Sequence, residues 1–190
     1  MKKFLNKKGY TLIELLAVMI VMVSVGGIIT SILVSALRGG NKTNVSTLVR
    51  QNGNYAIFQI ARMIAFSRSF DGVSVDGTTY AENCVPVVPP DPTPTPTPPE
   101  YQYIKITSFD GGQTIFSCEN NTIASNGASL IDSSTLTVTN CSFMCSQRTL
   151  SSPPSMDISF TLQRTTGGLF EAQSTIPFNT SVTLRNYNSN

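Results

Sequence analysis

One acidic side chain, Glu14, stands at the start of a long apolar stretch. It is the only charged residue between Lys8 and Arg38, and the 23 residues 15–37 are all uncharged. As an α-helix they would extend roughly 35 Å, more than the hydrocarbon core of about 30 Å in a bilayer. The carboxylate could favour the positive end of the helix macrodipole, an effect of about 0.3–1 kcal/mol. It could equally be a functional intramembrane charge with a specific partner, and spacing alone favours neither interpretation.

Four cysteines form the second group of reactive side chains: Cys84, Cys118, Cys141 and Cys145. An even number of thiols in an oxidising compartment favours disulfides, for which four cysteines allow three connectivities. In a regular strand, the Cα atoms of Cys141 and Cys145 would lie about 13 Å apart, beyond the roughly 7 Å limit for a bridge. We therefore expect each of these two to pair with Cys84 or Cys118. A zinc site is the alternative, but the cysteine spacing is not that of two Cys-x-x-Cys pairs and the chain has no histidine, so we predict no metal.

Groups that could catalyse a reaction are sparse. Histidine, the commonest general base, is absent from the sequence. No serine stands in a Gly-x-Ser-x-Gly setting, and the pairs Gly26-Gly27, Gly39-Gly40 and Gly111-Gly112 lack the spacing and the lysine of a phosphate-binding loop. Polar sequence separates the carboxylates Glu119 and Asp132, which favours solvated side chains. We predict that the protein is not an enzyme and has no cofactor.

The residues around Glu14 form a specific string, Lys-Lys-Gly-Tyr-Thr-Leu-Ile-Glu-Leu-Leu, from Lys7 to Leu16. It resembles the leader and N-terminal helix of type IV pilins and type II secretion pseudopilins, because the basic leader, the glycine, the Thr-Leu-Ile-Glu-Leu-Leu segment and the apolar helix occur in register. The resemblance implies cleavage by prepilin peptidase after Gly9, methylation of the new N-terminal Tyr10, and Glu14 as the fifth residue of the mature chain. Tyr10 stands where phenylalanine is usual in the family.

The resemblance also implies a partner for Glu14. In the family, this glutamate is thought to meet the free N-terminal amine of a neighbouring subunit. Such pairing would remove much of the cost of several kcal/mol for an unpaired carboxylate in lipid. The implied partners are therefore prepilin peptidase, other pilin-like subunits that contact the N-terminal helix, an inner-membrane assembly platform, and the membrane itself.

An ordinary secretory signal is the competing interpretation of the N-terminus. Such signals have an apolar core of about 7–15 residues followed by a small-residue cleavage site. Here the apolar run is longer and the candidate cleavage site precedes it, so we expect the helix to stay with the product. Four lysines precede Gly9, whereas three basic residues follow the apolar segment. Because the side with more basic residues stays in the cytoplasm, we predict a cytoplasmic N-terminus. We expect a single-pass inner-membrane protein with its C-terminal head outside, and later an extracellular or periplasmic filament.

Net charge argues against binding of nucleic acid. The formal charge of +2 includes the four lysines of the leader, so it becomes −2 when the leader is removed. The other nine Lys and Arg residues are scattered singly, whereas nucleic-acid binding calls for a basic patch on the mature domain. We therefore predict no nucleic-acid partner.

The predicted fold class is α+β, with a long N-terminal helix packed against an antiparallel β-sheet. We divide the chain into a leader (1–9), a transmembrane and assembly helix (10–37) and one extracytoplasmic head (38–190). Within the head we expect helix to about residue 70, a Pro-rich loop at 86–99 and β-structure at 101–190. Apolar residues at three- and four-residue steps predict the second helical part, as a core-facing stripe rather than a partner-binding groove. The stripe comprises Val45, Leu48, Val49, Ala56, Ile57, Ile60, Ala61 and Ile64.

Alternating apolar and polar residues predict the strands of the head, at 101–107, 136–139, 158–162 and 182–184. Asp110-Gly111-Gly112 and Thr166-Gly167-Gly168 are turn signals between such runs. In the helix, Gly26-Gly27 and Gly39-Gly40 are predicted weak points, since each glycine costs about 1 kcal/mol relative to alanine.

The Pro-rich loop has eight prolines in the fourteen residues from Pro86 to Pro99. Proline cannot supply ladder hydrogen bonds and favours an extended polyproline II conformation. We interpret this segment as a variable surface insertion. A Pro-rich ligand for another domain and an O-glycosylated stalk are the alternatives.

Together these features predict a structural subunit, specifically a minor one, of a type IV pilus-like or type II secretion-like filament. The alternative from another class is a single-pass membrane-anchored surface binding protein or adhesin that does not enter a filament.

Overall fold

The computed structural model describes residues 9–84, 99–149, 151–164 and 173–186. The chain divides into two compact units, Met1–Asn41 and Lys42–Asn190, which we call the N-terminal and the C-terminal unit. The described residues form one helix, α1 (Leu12–Ala65), and nine strands. The strands are β1 (Ser69–Ser74), β2 (Glu100–Tyr101), β3 (Tyr103–Thr107), β4 (Gln113–Glu119), β5 (Thr122–Ser125), β6 (Ala128–Ser129), β7 (Thr137–Ser146), β8 (Ser155–Arg164) and β9 (Ser174–Thr183).

In the N-terminal unit, α1 is continuous through Gly26-Gly27 and Gly39-Gly40, the predicted weak points. Two of its polar side chains bond to the helix backbone. Ser24 donates a hydrogen bond to the carbonyl of Ile20, and Thr30 donates one to the carbonyl of Gly26, both at 2.8 Å. Because the acceptors are carbonyls of the same helix, these hydroxyl groups need no partner outside it.

In the C-terminal unit, α1 packs against antiparallel sheets, as the α+β prediction required. Most of the predicted apolar stripe is in the core, and its remaining members are half-buried. The helix ends at Ala65, so the expected boundary near residue 70 was wrong. Ser67 donates a hydrogen bond to the carbonyl of Ile64 at 2.9 Å, and the backbone N–H of Arg68 already bonds to Thr107 of β3 at 2.8 Å. Phe70 therefore lies buried in β1. The buried residues of α1 are Val45, Val49, Gly53, Ala56, Ile60 and Ile64.

The strands form two sheets rather than the single sheet that the sequence predicted. One has the order β1-β3-β4-β5-β6 and the other β2-β7-β8-β9, and all pairs are antiparallel. The predicted strand 101–107 is divided at Gln102, where the chain passes from the second sheet to the first. The backbone carbonyl of Gln102 accepts a hydrogen bond from Cys118, and its side-chain amide donates one to the carbonyl of Cys141. Gln102 thus contacts β4 of one sheet and β7 of the other.

Three other predicted segments are strands with wider bounds. The segment 136–139 overlaps the start of the longer β7, 158–162 lies inside β8, and 182–184 overlaps the end of β9. β9 begins at Ser174, which the sequence did not indicate because Pro177 interrupts the pattern. Proline is tolerated there since β9 is the edge strand of its sheet. The turn at 110–112 joins β3 to β4 as expected, whereas the turn signal at 166–168 lies outside the described residues.

Gly53 lies buried against the ring of Phe178 of β9, which stacks on Phe160 with ring centroids 5.4 Å apart. A Cβ atom on Gly53 would overlap that ring. We therefore expect Gly53→Ala to lower the free energy of unfolding by roughly 1–3 kcal/mol, because overpacking outweighs the helix propensity of alanine. Chemical denaturation of the purified chain measures this. Gly39→Ala is the matched control, since its Cβ would meet nothing within 4 Å. Equal stability of the two variants would contradict the prediction.

Candidate functional site

The start of α1 is built around Thr11. The backbone N–H of Glu14 approaches the Thr11 hydroxyl at 3.4 Å, and the N–H groups of Glu14 and Leu15 bond to the Thr11 carbonyl at 3.1 and 3.2 Å. Thr11 is therefore the N-cap residue, and it satisfies N–H groups that have no partner inside the helix. Sequence reasoning did not identify this role. The Thr-x-x-Glu spacing of a capping box was the available signal.

Gly9 and Tyr10 precede the capped helix in non-helical, exposed backbone. The side chain of Tyr10 is 81% exposed. A peptidase needs a peptide bond that it can reach and that is not part of a helical hydrogen-bond ladder. The Gly9–Tyr10 bond meets both conditions.

Glu14 lies in the first turn of α1 and is exposed. Its carboxylate therefore favours the positive end of the helix macrodipole, which was the simpler of the two interpretations. Exposure also leaves the carboxylate accessible to a partner. The position of Glu14 is therefore compatible both with a role at the helix macrodipole and with a role as a charge that pairs with a partner.

The surface that follows Glu14 is apolar on all sides. The eighteen-residue apolar window of α1 has no buried residues, and large apolar side chains from Leu12 to Leu37 are about half to four-fifths exposed. By length and composition this helix could span a membrane, a criterion that core helices and signal sequences also meet. A core helix would be covered by its own chain, whereas the apolar window of α1 is exposed. An apolar surface of this size requires cover from lipid or protein.

All four cysteines form disulfides in the C-terminal unit. Cys84 pairs with Cys145 and Cys118 with Cys141, with Cα–Cα distances of 5.3 and 5.6 Å. Cys141 and Cys145 both lie in β7, where a bridge between them would require a turn, as the sequence predicted for a strand. The Cys118–Cys141 bridge links β4 of one sheet to β7 of the other. Cys84 precedes the Pro-rich loop, of which residues 86–98 lie outside the described residues.

The carboxylates of the C-terminal unit support local loops. The Thr78 hydroxyl and backbone N–H, then Thr79 and Ser74, hold the pKa of Asp76 well below its usual value. Hydrogen bonds from Ser134 and Thr135 likewise lower the pKa of Asp132. Among the described residues, no three His, Cys, Asp or Glu side chains come together to hold a metal ion.

One long apolar N-terminal helix and antiparallel sheets are together compatible with a pilin-like fold. Comparisons of the chain with protein-family models, with curated proteins and with solved structures find no match.

Proposed function

We propose that this protein is a minor structural subunit of a type IV pilus-like or type II secretion-like filament. Prepilin peptidase would cut the chain after Gly9, and the N-terminal helix would then carry it into the filament. The observation that carries this proposal is the Lys7–Leu16 string, in which an exposed Gly9–Tyr10 bond directly precedes a capped apolar helix with one carboxylate.

Cleavage would create the charge that Glu14 needs. It frees a positive amine at Tyr10, close to the start of the apolar segment. In a filament, the amine of one subunit would pair with Glu14 of its neighbour, so that neither charge stays unpaired in an apolar setting. Pairing of this kind is the condition under which buried charges are tolerated.

The exposed apolar surface of α1 would be covered first by lipid and later by protein. Before assembly the helix would span the inner membrane, and after assembly the helices of neighbouring subunits would cover it. The four leader lysines favour a cytoplasmic N-terminus. Two disulfides in the C-terminal unit favour an oxidising compartment for that part of the chain. The proposed location is therefore the inner membrane with the C-terminal unit outside, followed by a periplasmic or extracellular filament.

Mass spectrometry of the mature N-terminus tests the proposal. In cells with an active prepilin peptidase, we expect a chain that begins at Tyr10 and carries one methyl group on its amine. The control is Gly9→Val, which should leave the chain uncut because the residue before the scissile bond has changed. An intact Met1 in the unaltered chain would overturn the proposal and favour the alternative, an anchored surface binding protein or adhesin.

A further inference from the structure

The part of α1 in the C-terminal unit has an outer face that its own sheets do not cover. It is formed by Tyr55, Phe58 and Arg62, which are all exposed, and we call it the basic aromatic face. Tyr55 and Phe58 are 62% and 65% exposed. The spacing of three and four residues from 55 to 62 brings these side chains to one side of the helix. Aromatic residues and arginine are the residue types enriched in protein–protein interfaces.

Charge is divided unevenly within the C-terminal unit. Between residues 42 and 65 all three charged residues are basic, whereas residues 66–190 contain five basic and ten acidic residues. Asp132 lies beside this helix, and its backbone N–H donates a hydrogen bond to the side-chain oxygen of Asn52 at 3.3 Å. Its carboxylate accepts hydrogen bonds from Ser134 and Thr135. A positive helix and a negative remainder on one unit are complementary surfaces for two copies of the chain.

One edge of the first sheet carries two carboxylates and an exposed apolar side chain, at the place where β1 and β4 end and β3 begins. We call it the Val75 edge, formed by Val75, Asp76, Tyr103 and Glu119. Val75 is 62% exposed, and both carboxylates are exposed. The hydroxyl of Tyr103 donates a hydrogen bond to Glu119, and a Cβ on Gly77, the residue after Asp76, would lie 2.9 Å from the Tyr103 ring. Tyr103 thus holds the two carboxylate-bearing loops on the same edge, beside an apolar side chain that an aromatic ring can cover.

We propose that the basic aromatic face of one copy docks onto the Val75 edge of a second copy. Arg62 would face Asp76 and Glu119, and the rings of Tyr55 and Phe58 would cover Val75. The two surfaces differ, so the contact is heterologous and adds copies in one direction unless the rotation closes a ring. This inference rests on the proposed function and applies where two copies of this minor subunit are neighbours in the filament.

Photocrosslinking in membranes of cells that express the full chain tests the contact. Benzoylphenylalanine replaces Phe58, and irradiation should give a covalent dimer whose link lies in the tryptic peptide 69–105, which contains Val75 and Asp76. The matched control has the same probe at Phe109, which is 66% exposed in the β3–β4 turn and belongs to neither surface. We expect roughly tenfold less dimer there. Equal yields at the two positions, a link to another part of the chain, or a link to a different protein would overturn the proposal.

A charge exchange gives a second, independent measurement. Arg62→Glu, in the copy that carries the probe, should lower the dimer yield about tenfold, because like charges would then face each other. Co-expression with a copy that carries Asp76→Lys and Glu119→Lys should restore the yield. Failure to restore it, with both copies folded and oxidised, would count against the contact.

The two proposals fail separately. A chain that begins at methylated Tyr10 but gives no dimer through position 58 overturns this contact and supports the filament. A chain with an intact Met1 that still links position 58 to peptide 69–105 overturns the filament and supports self-association of an anchored protein.

Discussion

Glu14→Val should leave the protein processed and membrane-bound but reduce its incorporation into filaments at least about tenfold. The expected loss corresponds to a charge-assisted contact of roughly 1.5–3 kcal/mol between the carboxylate and the amine of a neighbouring subunit. Valine preserves the apolar helix. The N-cap also survives, because Thr11 bonds to the backbone N–H of residue 14 and not to its side chain.

Glu14→Gln is the sharper variant of the same experiment. Glutamine keeps the length of glutamate and one acceptor oxygen but has no charge, so it should fail as valine does if the charge acts. Glu14→Asp should retain part of the incorporation, because it keeps the charge on a shorter side chain. The measurement is the amount of each variant in sheared filaments relative to the membrane fraction. Normal incorporation of Glu14→Val would remove Glu14 from the assembly mechanism.

Loss of the Cys118–Cys141 disulfide, which joins the two sheets, should have a large effect on stability. We expect Cys118→Ser with Cys141→Ser to lower the free energy of unfolding by about 3 kcal/mol, from the entropy of the chain between cysteines 23 residues apart. For a domain of this size that corresponds to a decrease in Tm of roughly 10 °C. This bridge links the two sheets, which the strand crossing at Gln102 and the hydrogen bond from the Val138 N–H to the Asn121 carbonyl also join.

The second disulfide provides a comparison. Cys84 and Cys145 are 61 residues apart, so Cys84→Ser with Cys145→Ser should cost slightly more, about 4 kcal/mol on the same entropy estimate. Thermal unfolding of both double variants in detergent gives the two values. Peptide mapping without reductant should recover only the 84–145 and 118–141 linkages from the unaltered chain. A Cys141–Cys145 peptide, or a Tm that reductant leaves unchanged, would contradict the prediction.

Local patterns predicted the elements of the fold well. The three- and four-residue spacing of Val45, Val49, Ala56, Ile60 and Ile64 identified the buried side of α1, and all five are in the core. Alternation identified β3 and β8 because their apolar residues face the core at every second position. These signals depend only on neighbours in sequence, so no knowledge of distant contacts was needed.

Boundaries were less predictable where a long-range contact sets them. The apolar pattern continues to Phe70, but α1 ends at Ala65 because the N–H of Arg68 bonds to Thr107, a residue distant in sequence. The division of 100–107 at Gln102 has the same origin, since its hydrogen bonds reach Cys118 and Cys141. Gly53 gave no sequence signal for a buried contact with Phe178, because a glycine inside a helix usually indicates only weakness.

The sequence by itself determined the apolar helix, its single carboxylate and the glycine that precedes it, because composition and spacing along the chain are sufficient for these. The sequence also excluded a Cys141–Cys145 bridge within a regular strand, and so allowed two of the three disulfide connectivities. Only the tertiary structure decided between them, divided the strands into two sheets, and brought Asp76 and Glu119 to one edge through Tyr103. The physical reason is that these features join residues far apart in sequence, whose proximity depends on how the whole core packs.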